Sequence, residues 1–207
     1  MSRRWLARRK NDHYHKMAKE EGYRSRAAYK LKQMDERFHF FRGARYVLDI
    51  GAAPGGWLQV ASEAVGENGL VVGVDQNPIE YLELGNVETI VGDILDEEIM
   101  DEIRELLPGS VDVVLSDLSP NISGVWDVDQ FRQIDLATMA LKVSQALLRR
   151  DGWFVVKVFM GSEYEAYLKE VKAAYRKVNI VKPMASRKGS AEVYLVARYL
   201  RRRRRAR

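Results

Sequence analysis

Short runs of aliphatic and β-branched residues recur along the chain, separated by stretches in which apolar positions return every three or four residues. Tyr46 to Ile50, Leu70 to Val74, Val87 to Val91, Val111 to Ser116 and Trp153 to Phe159 read as strands, apolar enough to be covered on both faces. Between them the helical period predicts helices over Trp57 to about Val65, about Glu97 to Leu107, about Phe131 to Leu148, and Ser162 to Arg176. An earlier helix is expected from Ser25, its N-cap, to Phe38, with Ala27, Leu31, Met34 and Phe38 along one side. Strands alternating with helices make parallel βαβ units. Two further strands, Val178 to Val181 and Val193 to Ala197, are joined only by Lys182 to Ala191, too short for a parallel crossover, so the last strand should run antiparallel. The pattern predicts an α/β, Rossmann-like, seven-stranded, mostly parallel sheet with helices on both faces, and no repeat or interdomain linker.

In such a sheet, ligands bind where the parallel strands end, near the point at which the strand order reverses. That rim collects Asp49 and the Gly-rich turn to Trp57, then Asp75, Asp93, the segment Ser116-Asp117 to Gly124, and Lys157-Val-Phe.

Charge sharpens the picture. The net charge of +5 hides a segregation: residues 1–45 hold 14 basic and 5 acidic residues, residues 46–150 hold 5 and 19, and residues 151–207 hold 15 and 5. Two basic ends around an acidic centre suit a polyanion on one part of the surface and a small cationic or hydroxyl-rich ligand on another. Nucleic acid is the expected partner. The basic start lacks the apolar stripe of an interfacial helix, no apolar run approaches a membrane span, and no secretory signal is present, so a soluble cytoplasmic protein is expected. The division by charge is a basic arm over residues 1–22, one domain over 23–200 and an arginine tail over 201–207. With no cysteine there are no disulfides, thiolate metal sites or Cys nucleophiles, and His13, His15 and His39 form no zinc-ligand pattern, so no metal is expected.

The Gly-rich turn departs from the dinucleotide fingerprint G-x-G-x-x-G, because Ala53 stands where the second Gly belongs. Asp75, at the end of the second strand, can accept hydrogen bonds from both hydroxyls of an adenosine ribose. The acidic strand ends Asp49, Asp75, Asp93 and Asp117 would repel a pyrophosphate and suit a sulfonium. An NAD(P)-linked oxidoreductase is disfavoured on both counts.

Five segments together are more specific than any single loop. Tyr23-Arg-Ser-Arg-Ala-Ala-Tyr-Lys30-Leu, Asp49-Ile-Gly-Ala-Ala-Pro-Gly-Gly-Trp57, Ser116-Asp117-Leu-Ser-Pro-Asn-Ile-Ser-Gly, Lys157-Val-Phe and Ser186-Arg-Lys-Gly-Ser-Ala-Glu192-Val-Tyr, in that order, resemble the FtsJ/RrmJ family of ribose 2′-O-methyltransferases. The resemblance runs from about residue 22 to residue 198. It implies the class I methyltransferase fold with S-adenosyl-L-methionine as cofactor. It also implies a catalytic set Lys30, Asp117, Lys157 and Glu192, and cofactor contacts at Gly55, Trp57, Asp75, Asp93 and Asp117. Its substrates are RNA, most directly a uridine of large-subunit ribosomal RNA within a ribosomal particle, with a tRNA anticodon loop as the alternative. No protein partner is expected, and a monomer is. The arm before residue 22 and the arginine tail match no family motif. A non-catalytic RNA-binding module is argued against by retention of the whole tetrad.

A ribose hydroxyl is a poor acid, and its methylation needs a base whose pKa lies near the working pH. Free Lys is far too basic, but a second ammonium or burial disfavours its charged form. Lys157 is assigned as base, Lys30 as its electrostatic partner and ribose or phosphate contact, Asp117 as the positioning group near the sulfonium, and Glu192 as the acid that orients the Lys pair. For stacking a target base, Trp126 in the 119–130 loop is the better candidate, since Phe159 and Tyr194 read as core or sheet residues. The arm and tail should bind phosphates without sequence preference.

Overall fold

The computed structural model describes residues 12–201; most of the expected arm and Arg202 to Arg207 of the tail lie outside the described residues. Strands β1 (Tyr46–Ile50), β2 (Leu70–Asp75), β3 (Val87–Val91), β4 (Val111–Ser116), β5 (Leu148–Phe159), β6 (Tyr175–Val181) and β7 (Glu192–Leu200) form one sheet in the order β3-β2-β1-β4-β5-β7-β6. β1 to β5 pair in parallel, and β7 runs antiparallel between β5 and β6. The order reverses between β1 and β4, so the crevice opens beyond the ends of those two strands.

Alternation along each strand feeds two cores. On one face Val47, Val71, Val113, Val155 and Tyr194 pack under α1 (His13–Glu20), α2 (Ala27–Phe38) and α3 (Gly56–Val65). On the other, Leu48, Val72, Val114, Val156 and Leu195 pack under α4 (Glu97–Leu106), α5 (Trp126–Leu147) and α6 (Tyr164–Ala174). Two buried phenols tie α5 to its neighbours: Tyr167 donates to the Ala137 carbonyl at 2.8 Å, and Tyr175 to the Ser144 hydroxyl at 2.9 Å. Each buried donor is thus satisfied, as burial requires. Among the described residues no helix is long and apolar enough to cross a membrane.

The structure departs from the sequence pattern at element ends. Within the expected arm, residues 13–20 are helical: the Asp12 carboxylate caps α1 by accepting from the His15 N–H, and also pairs with Arg26. Ser25 is not the N-cap of α2, which starts at Ala27 after Arg26 without a side-chain cap. The Ser25 side chain packs instead on Gly56, where any Cβ would collide with it. α5 starts at Trp126, five residues before the expected Phe131, so Trp126 is helical rather than in a loop. Asp129, in its first turn, reaches back to accept from the Ser123 N–H and hydroxyl, both at 2.7 Å, and from the Gly124 N–H, joining loop to helix. Tyr175 and Arg176, expected to close a helix, open β6.

Candidate active site

The site begins with a strand register. Lys157 of β5 lies directly opposite Tyr194 of β7, and Phe159 directly opposite Glu192. Residues opposite one another, and residues two apart, share a face. Lys157, Tyr194 and Glu192 therefore all project to the face covered by α2, and α2 supplies Lys30. β4 ends at Ser116, so Asp117 arrives at the same place from the neighbouring parallel strand.

These side chains form one connected chain of contacts. The Lys30 ammonium pairs with the Glu192 carboxylate at 2.7 Å and donates to the Tyr194 hydroxyl at 3.1 Å. Tyr194 donates its own proton to Asp117 Oδ1 at 2.7 Å. Lys157 Nζ lies 3.2 Å from that same Oδ1 and donates to the Asp117 main-chain carbonyl at 2.7 Å. Lys30 and Lys157 are buried, and Tyr194 is fully so. Burial alone would push the Asp117 carboxyl up, but the Lys157 and Lys30 charges and the Tyr194 bond outweigh it and hold it below the usual carboxylate range. Burial, with the Asp117 and Glu192 charges beside it, pushes the Tyr194 phenol well up, so its proton stays in place as a donor. Behind Lys157, the buried Gln133 of α5 donates to the Lys157 carbonyl at 3.0 Å and fixes the strand end.

Asp117 also lines a cavity of about 840 Å³ over the switch point, a size that encloses a small-molecule ligand. Asp75, Asp93 and Asp135 contribute carboxylates, and Ile50, Val74, Ile94, Leu118 and Met139 are among its apolar walls. Asp75 pins the Gly-rich turn: its Oδ2 accepts from the Ala53 N–H at 3.0 Å and its Oδ1 from the Asn77 N–H at 2.8 Å. At Gly51 the chain takes φ +81, and a Cβ there would strike Leu118, so the wall is closed by a residue that only Gly supplies. Arg24 clamps the turn from outside, donating to the carbonyls of Pro54 and Tyr81. Asp49, 1% exposed, has no hydrogen-bond partner on either oxygen among the described residues. Burial first, and then the Asp117 and Asp75 charges, push its carboxyl well up.

The four expected catalytic residues are thus brought together, but not in the expected arrangement. Each lysine has its own carboxylate, Glu192 meets Lys30 alone, and Tyr194 bridges the two pairs. Of the expected cofactor contacts, Asp75, Asp93 and Asp117 line the cavity, whereas Gly55 and Trp57 are not in its wall. The Trp57 indole turns inward, donating to the Ala27 carbonyl at 2.8 Å and packing on the Tyr194 ring. Trp126 is stacked on Phe159 with ring centroids 6.0 Å apart and remains half-exposed. Sequence reasoning missed Tyr194 as a hydrogen-bonding centre, although its position two after Glu192 and on the same strand face is the signal that places it. Arg24 carries no such signal.

The chain is similar to proteins already known. The family model described as FtsJ-like methyltransferase matches residues 23–200. A Methanocaldococcus jannaschii protein named "Ribosomal RNA large subunit methyltransferase E" is 50% identical over 199 residues, 95% of this chain and 81% of the relative. A protein of the same name from Methanothrix thermoacetophila is 52% identical over 195 residues, 94% of this chain and 75% of the relative. Among solved structures, a Plasmodium falciparum protein described as a ribosomal RNA methyltransferase superposes with a TM-score of 0.74 at 28% identity, covering 86% of this chain and 98% of that one.

Proposed function

Because the chain belongs to the FtsJ-like methyltransferase family and is a methyltransferase, we propose that it methylates a ribose 2′-hydroxyl of large-subunit ribosomal RNA, with S-adenosyl-L-methionine as methyl donor. The observation that carries this reading is the contact chain from Glu192 through Lys30, Tyr194 and Asp117 to Lys157 on the edge of an acidic cavity. The names of the relatives support this substrate, and a ribosomal substrate favours a cytoplasmic enzyme.

The donor set fits a cationic, phosphate-free cofactor. Asp75 would accept from ribose hydroxyls, Asp93 would offer a further acceptor, and Asp117 would hold the positive end. Gly55 and Trp57 can contribute only main-chain groups, since the indole is committed to Ala27. When bound, the cofactor supplies an electrophilic methyl group on a sulfonium.

The chain's own residues do the rest. Lys157 Nζ, held by the Asp117 carbonyl and carboxylate, accepts the 2′-hydroxyl proton as the oxygen attacks. For the proton to balance, Lys157 enters the step as a free amine and leaves it as an ammonium. Lys30, fixed by Glu192 and Tyr194, contributes positive charge where the hydroxyl develops negative charge. Tyr194 keeps Asp117 in place between the two amines. The expected arm and tail supply phosphate contacts that weaken steeply with salt.

The test is transfer of label from radiolabelled S-adenosyl-L-methionine into ribosomal subunits, ribosomal RNA and tRNA, by wild type and Lys157→Ala, with nucleosides identified after digestion. A 2′-O-methylnucleoside in the large-subunit fraction, made by wild type alone, is the expected result. Label in tRNA only would overturn the substrate, and label on a base would overturn the reaction.

A further inference from the structure

The opposite end of the sheet, where the parallel strands begin, carries a second concavity of about 760 Å³ whose lining includes Arg150, Asp151, Arg176, Tyr199 and Arg201. Arg150 comes from the start of β5, Arg176 from the start of β6, and the last two from the end of β7. Arg150 and Arg176 are exposed, and among the described residues neither has a hydrogen-bond or ion-pair partner. The one carboxylate here, Asp151, is already engaged by the Arg149 guanidinium at 3.3 Å. The concavity therefore presents unspent positive charge.

The backbone is unusual at the same place. Tyr175 pairs with Leu200 and Lys177 with Arg198, but Arg176 and Tyr199 between them drop out of the ladder. Tyr199 takes φ +66, in the left-handed region that residues other than Gly rarely adopt. Such strain persists where the surroundings impose it and concentrates at binding sites. The Tyr199 ring is half-buried, with the Arg198 guanidinium 4.8 Å and the Lys177 ammonium 5.5 Å from its centroid. Arg201 is fixed alongside by its N–H to the Ala174 carbonyl at 2.8 Å.

We propose that this concavity is a second RNA-binding site, taking backbone phosphates of a segment remote from the nucleotide being methylated. The proposal rests on the reading that the substrate is RNA. Guanidinium groups match phosphate oxygens in a two-point fork, and an aromatic ring among cations accommodates a ribose or base beside them. Arg150 and Lys157 stand seven residues apart on β5, roughly 23 Å at about 3.3 Å per residue. One nucleotide cannot fill both sites, but a folded RNA can.

The experiment compares wild type, Arg150→Glu/Arg176→Glu and Lys142→Glu, each as the full chain with saturating cofactor. Lys142 is exposed on α5 and controls for charge alone. Kd, KM and kcat are measured on a large-subunit ribosomal RNA transcript and on an oligonucleotide of about ten nucleotides around its methylated position. The expected result is a 10- to 100-fold rise in Kd and KM for the double variant on the transcript, with kcat and all oligonucleotide constants unchanged. Its salt slope on the transcript should also fall by about two, one for each lost phosphate contact. Unchanged binding of the transcript, equal losses on both RNAs, or an equal loss in Lys142→Glu would each overturn the site. If wild type itself neither binds nor methylates the transcript or isolated large ribosomal subunits, the RNA reading falls instead.

Discussion

Asp49 and Asp117 come from neighbouring parallel strands, yet the fold gives them opposite fates. Asp117 extends past the end of β4 into the reach of Lys157, Lys30 and Tyr194, and is held ionised. Asp49 lies within β1 on the same sheet face, finds no partner, and is pushed toward its neutral form. The same contrast runs through the whole rim. The β1–β4 side ends in carboxylates around a cavity, whereas the β5–β7 side carries Lys157, with Lys30 of α2 beside it, each matched to an acid. A cationic methyl donor and an anionic RNA need opposite fields, and the sheet provides both within one crevice, with Asp117 at the seam.

If the two sides are separable in this way, one variant on each should fail in only one respect. The largest effect is expected for Lys157→Ala, which should lower kcat at least about 1,000-fold, the range of a lost general base. Its affinity for S-adenosyl-L-methionine, measured by calorimetry, should stay within a factor of three of wild type; a parallel loss of both would break the division. Asp75→Ala should do the reverse, weakening the cofactor about 100-fold through the loss of charged hydrogen bonds, while kcat at saturating cofactor stays close to normal. Tyr194→Phe sits at the seam. It removes one hydrogen bond on each side, so about a tenfold fall in kcat is expected, with cofactor affinity unchanged. A silent variant would mean that the bridge between the two ion pairs is dispensable.

The smallest effects concern stability and should have opposite signs. Asp117 has a depressed pKa in the folded chain, so its stabilisation is complete above the unfolded value of about 3.9 and is lost as pH falls below it. Asp49 is raised, so ionisation in the unfolded chain costs stability as pH rises above about 3.9. At pH 7, Asp49→Asn should raise the apo Tm by about 2–4 °C, the shift that roughly 1 kcal/mol gives a chain of this size. Asp117→Asn should lower it. In thermal melts the Asp49 difference should close as pH falls to about 4 and the Asp117 difference only at pH below that, and a pH-independent shift in either variant would contradict the assigned protonation states.

The strands buried on both faces were legible because such a position leaves little choice of residue: Tyr46–Ile50 and Val111–Ser116 appear with the boundaries that the apolar runs mark, while the mostly exposed edge strand Val87–Val91 was legible from its β-branched residues. Helix starts were less so. α5 begins in Trp126-Asp-Val-Asp-Gln130, whose apolar side chains Trp126 and Val128 are exposed, so no buried stripe announces the turn. What starts it is Asp129 reaching back to Ser123 and Gly124, a tertiary contact without a periodic signal. α1 was hidden by its charge, since only Tyr14, Met17 and Ala18 mark its inner side. In the site, the identities of Lys30, Asp117, Lys157 and Glu192 could be read from motifs, but the pairing could not. Which acid meets which amine is decided by the β5–β7 register, a long-range property that places Tyr194 opposite Lys157.

The position of β7 also bears on how the protein is made. It is the last strand in the sequence, yet it lies between β5 and β6 rather than at the edge. Those two strands cannot settle against each other first without being parted again, so the slot must stay open until residues 192–200 arrive. Contacts between residues so far apart along the chain are slow to form, and the Lys30–Glu192 pair spans almost the entire polypeptide. A nascent chain therefore carries no assembled transfer site until residues 192–200 have emerged and paired, and activity marks the closing of the sheet.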